Sequence, residues 1–306
     1  MMTSKPQATS PAYVDAHYRH FLGGALGGMT AAIITSPLEV VKTRLQTKDG
    51  RDSLSRVTKH RLTTTNVLKS ILKQESVYGL WRGIVPNLLG VVPARAAYFG
   101  CYAKLKALSS DYGYVGTMAN FVSASAAGCM TASLLSPVFV VKTRMQLMPT
   151  HGAANARFFS MHEVALDMYR KEGSRAFFKG LSASYWGVSE GAIQLALYEE
   201  VKAHLDNPSK TTLFFVAGLC KLTAAAATYP HEVVRTRMRD QRTLPGTTPL
   251  YRSMFQSIGT IYRMEGLRGL YGGMPAHLLK TVPNAAIMYV VLEIIVGNNS
   301  TTTAKA

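Results

Sequence analysis

The chain has 306 residues and carries 34 Lys and Arg against 17 Asp and Glu, a formal charge of +17. A balance that basic points to nucleic acid, anionic lipid or an anionic solute as partner, and the placement of the charges separates these. The three cysteines, Cys101, Cys129 and Cys220, form no Cys-x-x-Cys motif and have no histidine at ligand spacing, which argues against a disulfide framework or a metal site.

In chain order, the first 19 residues hold no continuous apolar core and only Lys5 and Arg19 as basic groups, so no cleavable signal is expected and residues 1–17 read as a tail. Residues 20–38 contain no charge. Residues 83–103 contain only Arg95, 112–141 none, 180–198 only Glu190, 211–231 only Lys221 and 269–292 only Lys280. A helix needs about 20 mostly apolar residues to cross a bilayer, and all six segments reach roughly that length. They predict an all-α membrane protein with six transmembrane helices. The segments are rich in Ser, Thr, Gly and Ala, as in 123–132, which suits helices with one face on lipid and one on a polar interior. The pairs Gly23/Gly27 and Gly24/Gly28 are spaced for close helix contact.

The loops following the first, third and fifth segments, residues 38–85, 138–180 and 231–272, hold 24 of the 34 basic residues and 10 of the 17 acidic ones. Alternate loops lie on one side of a membrane, and the positive-inside tendency turns that side toward the cytoplasm or, in an inner mitochondrial membrane, the matrix. A nucleic-acid-binding protein has no use for six charge-poor segments, nor for basic residues confined to alternate loops, so nucleic acid is not expected as a partner. There is no Walker A sequence. The run Gly23–Gly28 lies inside a charge-free span rather than after a strand, so neither an enzyme nor a bound cofactor is expected.

The chain repeats itself three times. Segments one, three and five end in Pro37-Leu-Glu-Val-Val-Lys-Thr-Arg44, Pro137-Val-Phe-Val-Val-Lys-Thr-Arg144 and Pro230-His-Glu-Val-Val-Arg-Thr-Arg237. Later in each copy comes a glutamate six positions before an aromatic: Glu75 and Trp81, Glu172 and Phe178, Glu265 and Tyr271. Two motifs recurring in phase make a repeat architecture. Acid at two and base at five positions after the proline share a helical face, so three such ends in a ring are placed to pair acid with base and close a central cavity.

These motifs resemble the signature of the mitochondrial carrier family over residues 18–296. The resemblance implies three pseudo-threefold repeats, 18–110, 111–209 and 210–296, with short matrix-side helices and a C-terminal tail from 297 to 306. It further implies a monomer with both termini toward the intermembrane space, alternating access to one central site, and cardiolipin at the matrix-side helix ends. By the family's pairing order Glu39–Lys142 and Glu232–Lys42 form the matrix gate, and Arg235 lacks its partner in the lower ring because Phe139 replaces an acid. Gln46 and Gln146 match the family's bracing glutamine, whose third copy is Arg239. The opposite gate retains Glu199 and Lys202 from one full copy, Lys106 from a second and Glu293 from a third, with Glu293–Lys106 expected as its remaining pair.

A symmetric scaffold that carries an asymmetric solute breaks its repeat where the solute binds. Counting nine back from the signature prolines gives Gly28, Gly128 and Lys221; the even segments, in register, give Gly90, Trp186 and Lys280, then Val91, Gly187 and Thr281. Arg95 and Glu190 also stand where the copies differ. An intramembrane charge is costly and by default faces a wet cavity, so these positions form the candidate substrate site. Glu190 and Lys221 have an ion pair as their alternative reading. Three cations with one acid suit an anion carrying phosphate. Trp186 offers a ring for a base, stacking of that kind being worth about 1–3 kcal/mol, or else packs between helices.

Residues 182–190, 229–237, 86–95 and 283–288 look like the pyrimidine nucleotide carriers within that family. The resemblance implies nucleotide exchange across the mitochondrial inner membrane. Carriage of FAD, folate or NAD, or an uncoupling anion leak, are the alternatives.

Overall fold

The computed structural model describes residues 11–47, 64–114, 116–148, 160–205, 209–242 and 248–297. The regular structure of the described residues is helical. Repeat one contains α1 (Pro11–Gln46), α2 (Thr64–Glu75), a 3₁₀ turn (Val77–Trp81) and α3 (Ile84–Asp111). Repeat two contains α4 (Thr117–Leu147), α5 (Met161–Glu172), a 3₁₀ turn (Ser174–Phe178), α6 (Leu181–Trp186) and α7 (Val188–Ala203). Repeat three contains α8 (Lys210–Asp240), α9 (Met254–Leu270) and α10 (Met274–Gly297). The signature prolines Pro37, Pro137 and Pro230 lie inside α1, α4 and α8, which run on past them.

Four stretches are long and apolar enough to cross a membrane among the described residues: Gly23–Gln46, Val77–Asp111, Met118–Leu147 and Thr211–Asp240. The fourth segment expected from the sequence is divided at Gly187 into α6 and α7; Gly187 keeps right-handed helical dihedrals, and the division is one of hydrogen bonding, its N–H donating to the carbonyls of both Ala183 and Ser184. The sixth is α10, of 24 residues. Bulky apolar side chains such as Ile34, Phe99, Val122 and Phe215 are left uncovered along these helices, as a lipid-facing surface requires.

The buried core lies at the end of the bundle where the signature motifs sit. Val40 and Val41 pack with Val67 and Ile71; Val140 and Val141 with Val164 and Met168; Val233 and Val234 with Met254 and Ile261. The Val-Val pair of each signature is therefore the surface on which the following short helix docks.

Successive repeats are joined at three equivalent glycines. Gly83, Gly180 and Gly273 have φ of 74°, 80° and 81°, the left-handed region that side chains disfavour. A Cβ on each would stand 3.1 Å from the Lys142 carbonyl, 2.9 Å from that of Arg235 and 2.9 Å from that of Lys42. Each even-numbered span thus begins with its backbone against the signature helix of the next copy in the ring.

Candidate functional site

Each signature arginine ties its own repeat together and reaches into the next. Arg44, Arg144 and Arg237 form two-pronged pairs with Glu75, Glu172 and Glu265. Their Nε atoms donate to the carbonyls of Gln146 (3.3 Å), Arg239 (3.0 Å) and Gln46 (2.9 Å), which closes a ring of three links. A planar guanidinium with five donors is suited to holding a carboxylate and a carbonyl together. Burial alone raises the Glu172 carboxyl, but hydrogen bonds and charge from Arg144 and Lys179 outweigh it and hold the group at about 2, below its ordinary 4.5.

The glutamines cross between repeats in the same sense. Gln146 accepts from Thr43 Oγ1 at 2.9 Å; Gln46 accepts from Thr236 Oγ1 at 2.7 Å and donates to Tyr229 OH at 3.0 Å. Where the third glutamine would stand, Arg239 lies over the Phe139 ring at 5.8 Å, and Lys142 approaches the same ring at 5.9 Å. A ring has replaced one carboxylate, and two cations use its face instead.

Inside this frame the signature acids and bases meet. Lys142 pairs with Glu39, and Lys42 with Glu232 at 2.6 Å. Both contacts follow the pairing order that the family resemblance implies. Arg235 has no acid from another helix among the described residues, Phe139 standing in that place, and it takes the second oxygen of Glu232, three residues back on its own helix. The sequence held no signal for this, since the pairing order considers only contacts between helices.

Two of the four isolated span charges form an ion pair, and a third meets a signature acid. Lys221 Nζ lies 2.6 Å from Glu190 Oε1. Lys280 Nζ lies 3.1 Å from Glu39 Oε2, which brings a candidate substrate cation into contact with a candidate gate acid. Arg95 crosses Gly24 and Gly28 of α1 and donates to Met288 Sδ on α10 at 2.7 Å; it has no acidic partner among the described residues. The glycines serve as the channel for this side chain. Val91 packs beside Gly28, Gly90 leaves room for Phe139, and Thr281 bonds the His277 carbonyl on its own helix.

A cavity of about 740 Å³ opens beside these groups, lined in part by Tyr98, Asn120, Gly128, Gly187, Gln194 and Tyr198. Gly187 meets this cavity and also the imidazole of His231. Trp186 stands apart. Its ring meets Phe255 of α9 edge to face, centroids 5.0 Å apart, and it is not among the cavity's lining residues. At the opposite end, Lys106 and Lys202 lie over the rings of Tyr102 and Tyr198. Neither they nor Glu199 form an ion pair among the described residues, and the Glu293 side chain falls outside that set.

Three successive stretches, residues 14–113, 114–209 and 206–298, match the family described as mitochondrial carrier protein. The chain is similar to Solute carrier family 25 member 36 of Gallus gallus, with 36% identity across 90% of this chain and 96% of the relative. It is similar to Mitochondrial carrier protein rim2 of Schizosaccharomyces pombe at 36% identity, across 90% and 88% of the two chains. It is also 34% identical to a protein of Saccharomyces cerevisiae named Mitochondrial pyrimidine nucleotide transporter RIM2, across 90% of this chain and 85% of that one.

Proposed function

The chain belongs to the mitochondrial carrier family, and from that premise we propose that it exchanges pyrimidine nucleotides across the inner membrane by alternating access. Membership makes it a multi-pass transporter of the mitochondrial inner membrane and not an enzyme. The observation that carries the substrate assignment is the identity with the protein named a pyrimidine nucleotide transporter, sustained over 90% of the chain. The charges of the spans support it: Arg95, Lys221 and Lys280 against Glu190 make a net positive interior suited to phosphate.

In this reading the ring formed by Glu39, Lys42, Lys142, Glu232 and Arg235 is the closed matrix gate, with Gln46 and Gln146 bracing it. The cavity then faces the intermembrane space, where the termini also lie. Substrate enters from that side and meets Arg95, Lys221 and Lys280. Phosphate oxygens that take Lys280 from Glu39 leave that carboxylate with Lys142 alone, which links occupancy to loosening of the gate. The residues from Gly90 to Thr281 named in the sequence remain the candidate site, and the Trp186 ring, in contact with Phe255, is the member with the weakest support.

The test is reconstitution in liposomes loaded with unlabelled UTP and uptake of labelled UTP or CTP, with FAD, folate, NAD and ATP as competitors. Saturable uptake that requires internal nucleotide is expected. Uptake of FAD or folate instead, or a leak indifferent to internal solute, would overturn the assignment.

A further inference from the structure

Three helices surrounding the cavity change character one turn apart. On α3, Arg95, Tyr98 and Tyr102 are spaced i, i+3, i+7; on α7, Glu190, Gln194 and Tyr198 are spaced i, i+4, i+8; on α8, Ala217 lies four residues from Lys221. Such spacings place side chains on one face. The cavity is lined by Tyr98, Tyr102, Gln194, Tyr198 and Ala217, and in each case the charged residue lies on the signature side. One turn rises about 5.4 Å. A neutral chamber of rings and amides therefore sits directly above a charged belt. That order, along one axis, matches a molecule with a flat polar ring at one end and phosphates at the other.

We propose that this chamber is the nucleobase subsite, an inference that rests on the nucleotide reading above. Tyr98 supplies the stacking face, and Asn120 on α4 and Gln194 on α7 read the edge of the base. Both amides are half-buried and neither has a hydrogen-bond partner among the described residues. An amide offers a donor and an acceptor side by side and exchanges them by turning over. Uracil presents N3–H beside O4; cytosine presents N3 beside its 4-amino group, the same pair reversed. One turning amide satisfies either base, so the subsite accepts uridine and cytidine nucleotides alike. The phosphates then reach down toward Arg95, Lys221 and Lys280.

The test uses the full chain in liposomes, with labelled UTP uptake competed by UTP, CTP and tripolyphosphate, which carries the charge without a base. Tyr98→Leu is expected to weaken UTP about tenfold, within the range of base–aromatic stacking, while tripolyphosphate competes as before. Gln194→Glu leaves only acceptors facing the base; uracil's N3–H lies between two carbonyl oxygens that repel a carboxylate, whereas cytosine's 4-amino donor has one acceptor beside it, so the CTP-to-UTP preference is expected to shift at least about threefold toward CTP. Equal loss of UTP and tripolyphosphate in Tyr98→Leu, or an unchanged CTP-to-UTP ratio in Gln194→Glu, would overturn the subsite. The ratio is read within one preparation, so it stands even where Tyr98→Leu folds poorly. A wild-type protein that takes up no nucleotide would remove the broader reading; one that does so while both variants match it would remove the subsite alone.

Discussion

Lys280 and Glu39 are in contact across the bundle, Nζ to Oε2 at 3.1 Å, although one belongs to the last span and the other to the first. Glu39 is at the same time the partner of Lys142. A cation at the repeat position where the other even spans carry Gly90 and Trp186 is thus bound to an acid that also joins two signature helices.

Replacing Lys280 with Ala is expected to lower nucleotide exchange at least about tenfold, the equivalent of one lost charge-assisted contact. Glu39 keeps Lys142, so the unfolding temperature should move by only a few degrees. Parallel transport assays and thermal unfolding of the purified protein check this; a large fall in unfolding temperature would make Lys280 a structural residue.

The two ends of the Lys42–Glu232 pair are unequal. Glu232→Gln strands both Lys42 and Arg235, whereas Lys42→Gln leaves Glu232 held by Arg235. Removing one partner of a buried pair costs about 3–5 kcal/mol where the other is left unpaired. Glu232→Gln is therefore expected to lower the unfolding temperature clearly more than Lys42→Gln, as measured in one detergent at one pH.

Phe139 holds two cations on its faces, where a carboxylate would form a direct pair. Phe139→Leu is expected to cost about 1 kcal/mol of closed-gate stability. Phe139→Glu, with Arg239 and Lys142 beside it, should tighten the gate and lower the maximal exchange rate with little change in KM. Initial rates over a range of external UTP separate the two quantities.

Glu172 lies on a short helix outside the spans, and its carboxyl is held at about 2 against an ordinary 4.5. A depressed folded-state value means that its stabilisation is fully present above about pH 4.5 and is lost as pH falls toward 2. Glu172→Gln should remove this acid limb of the unfolding profile while destabilising the protein by about 3 kcal/mol near neutrality, because Arg144 and Lys179 lose their shared acid. Thermal unfolding from pH 7 downward compares the two proteins.

What could be read from the sequence was whatever the repeat spells out three times. The signature residues Glu39, Lys42, Lys142 and Glu232 recur at fixed offsets from a proline, which sets them in one ring, and the order of their pairing is what the family resemblance implies. Broken symmetry likewise drew attention to Lys221, Lys280, Arg95 and Glu190. The local partner that Arg235 finds in Glu232 was not legible, because the repeat speaks only of contacts between helices. The placement of Trp186 depends on Phe255, about seventy positions away and outside both motifs. Nor did spacing announce the chamber of Tyr98, Asn120 and Gln194, whose members come from three helices and share no motif.

At the signature ends of the spans, Lys42, Lys142, Arg235 and Lys280 stand against Glu39 and Glu232. The surplus of positive charge makes the deepest point of the passage a potential well for anions, focused by low-dielectric walls. A polyanion lingers there and a neutral solute of the same size leaves at once. Residence time is then itself a filter, applied before any base is recognised, and it weakens as salt is raised.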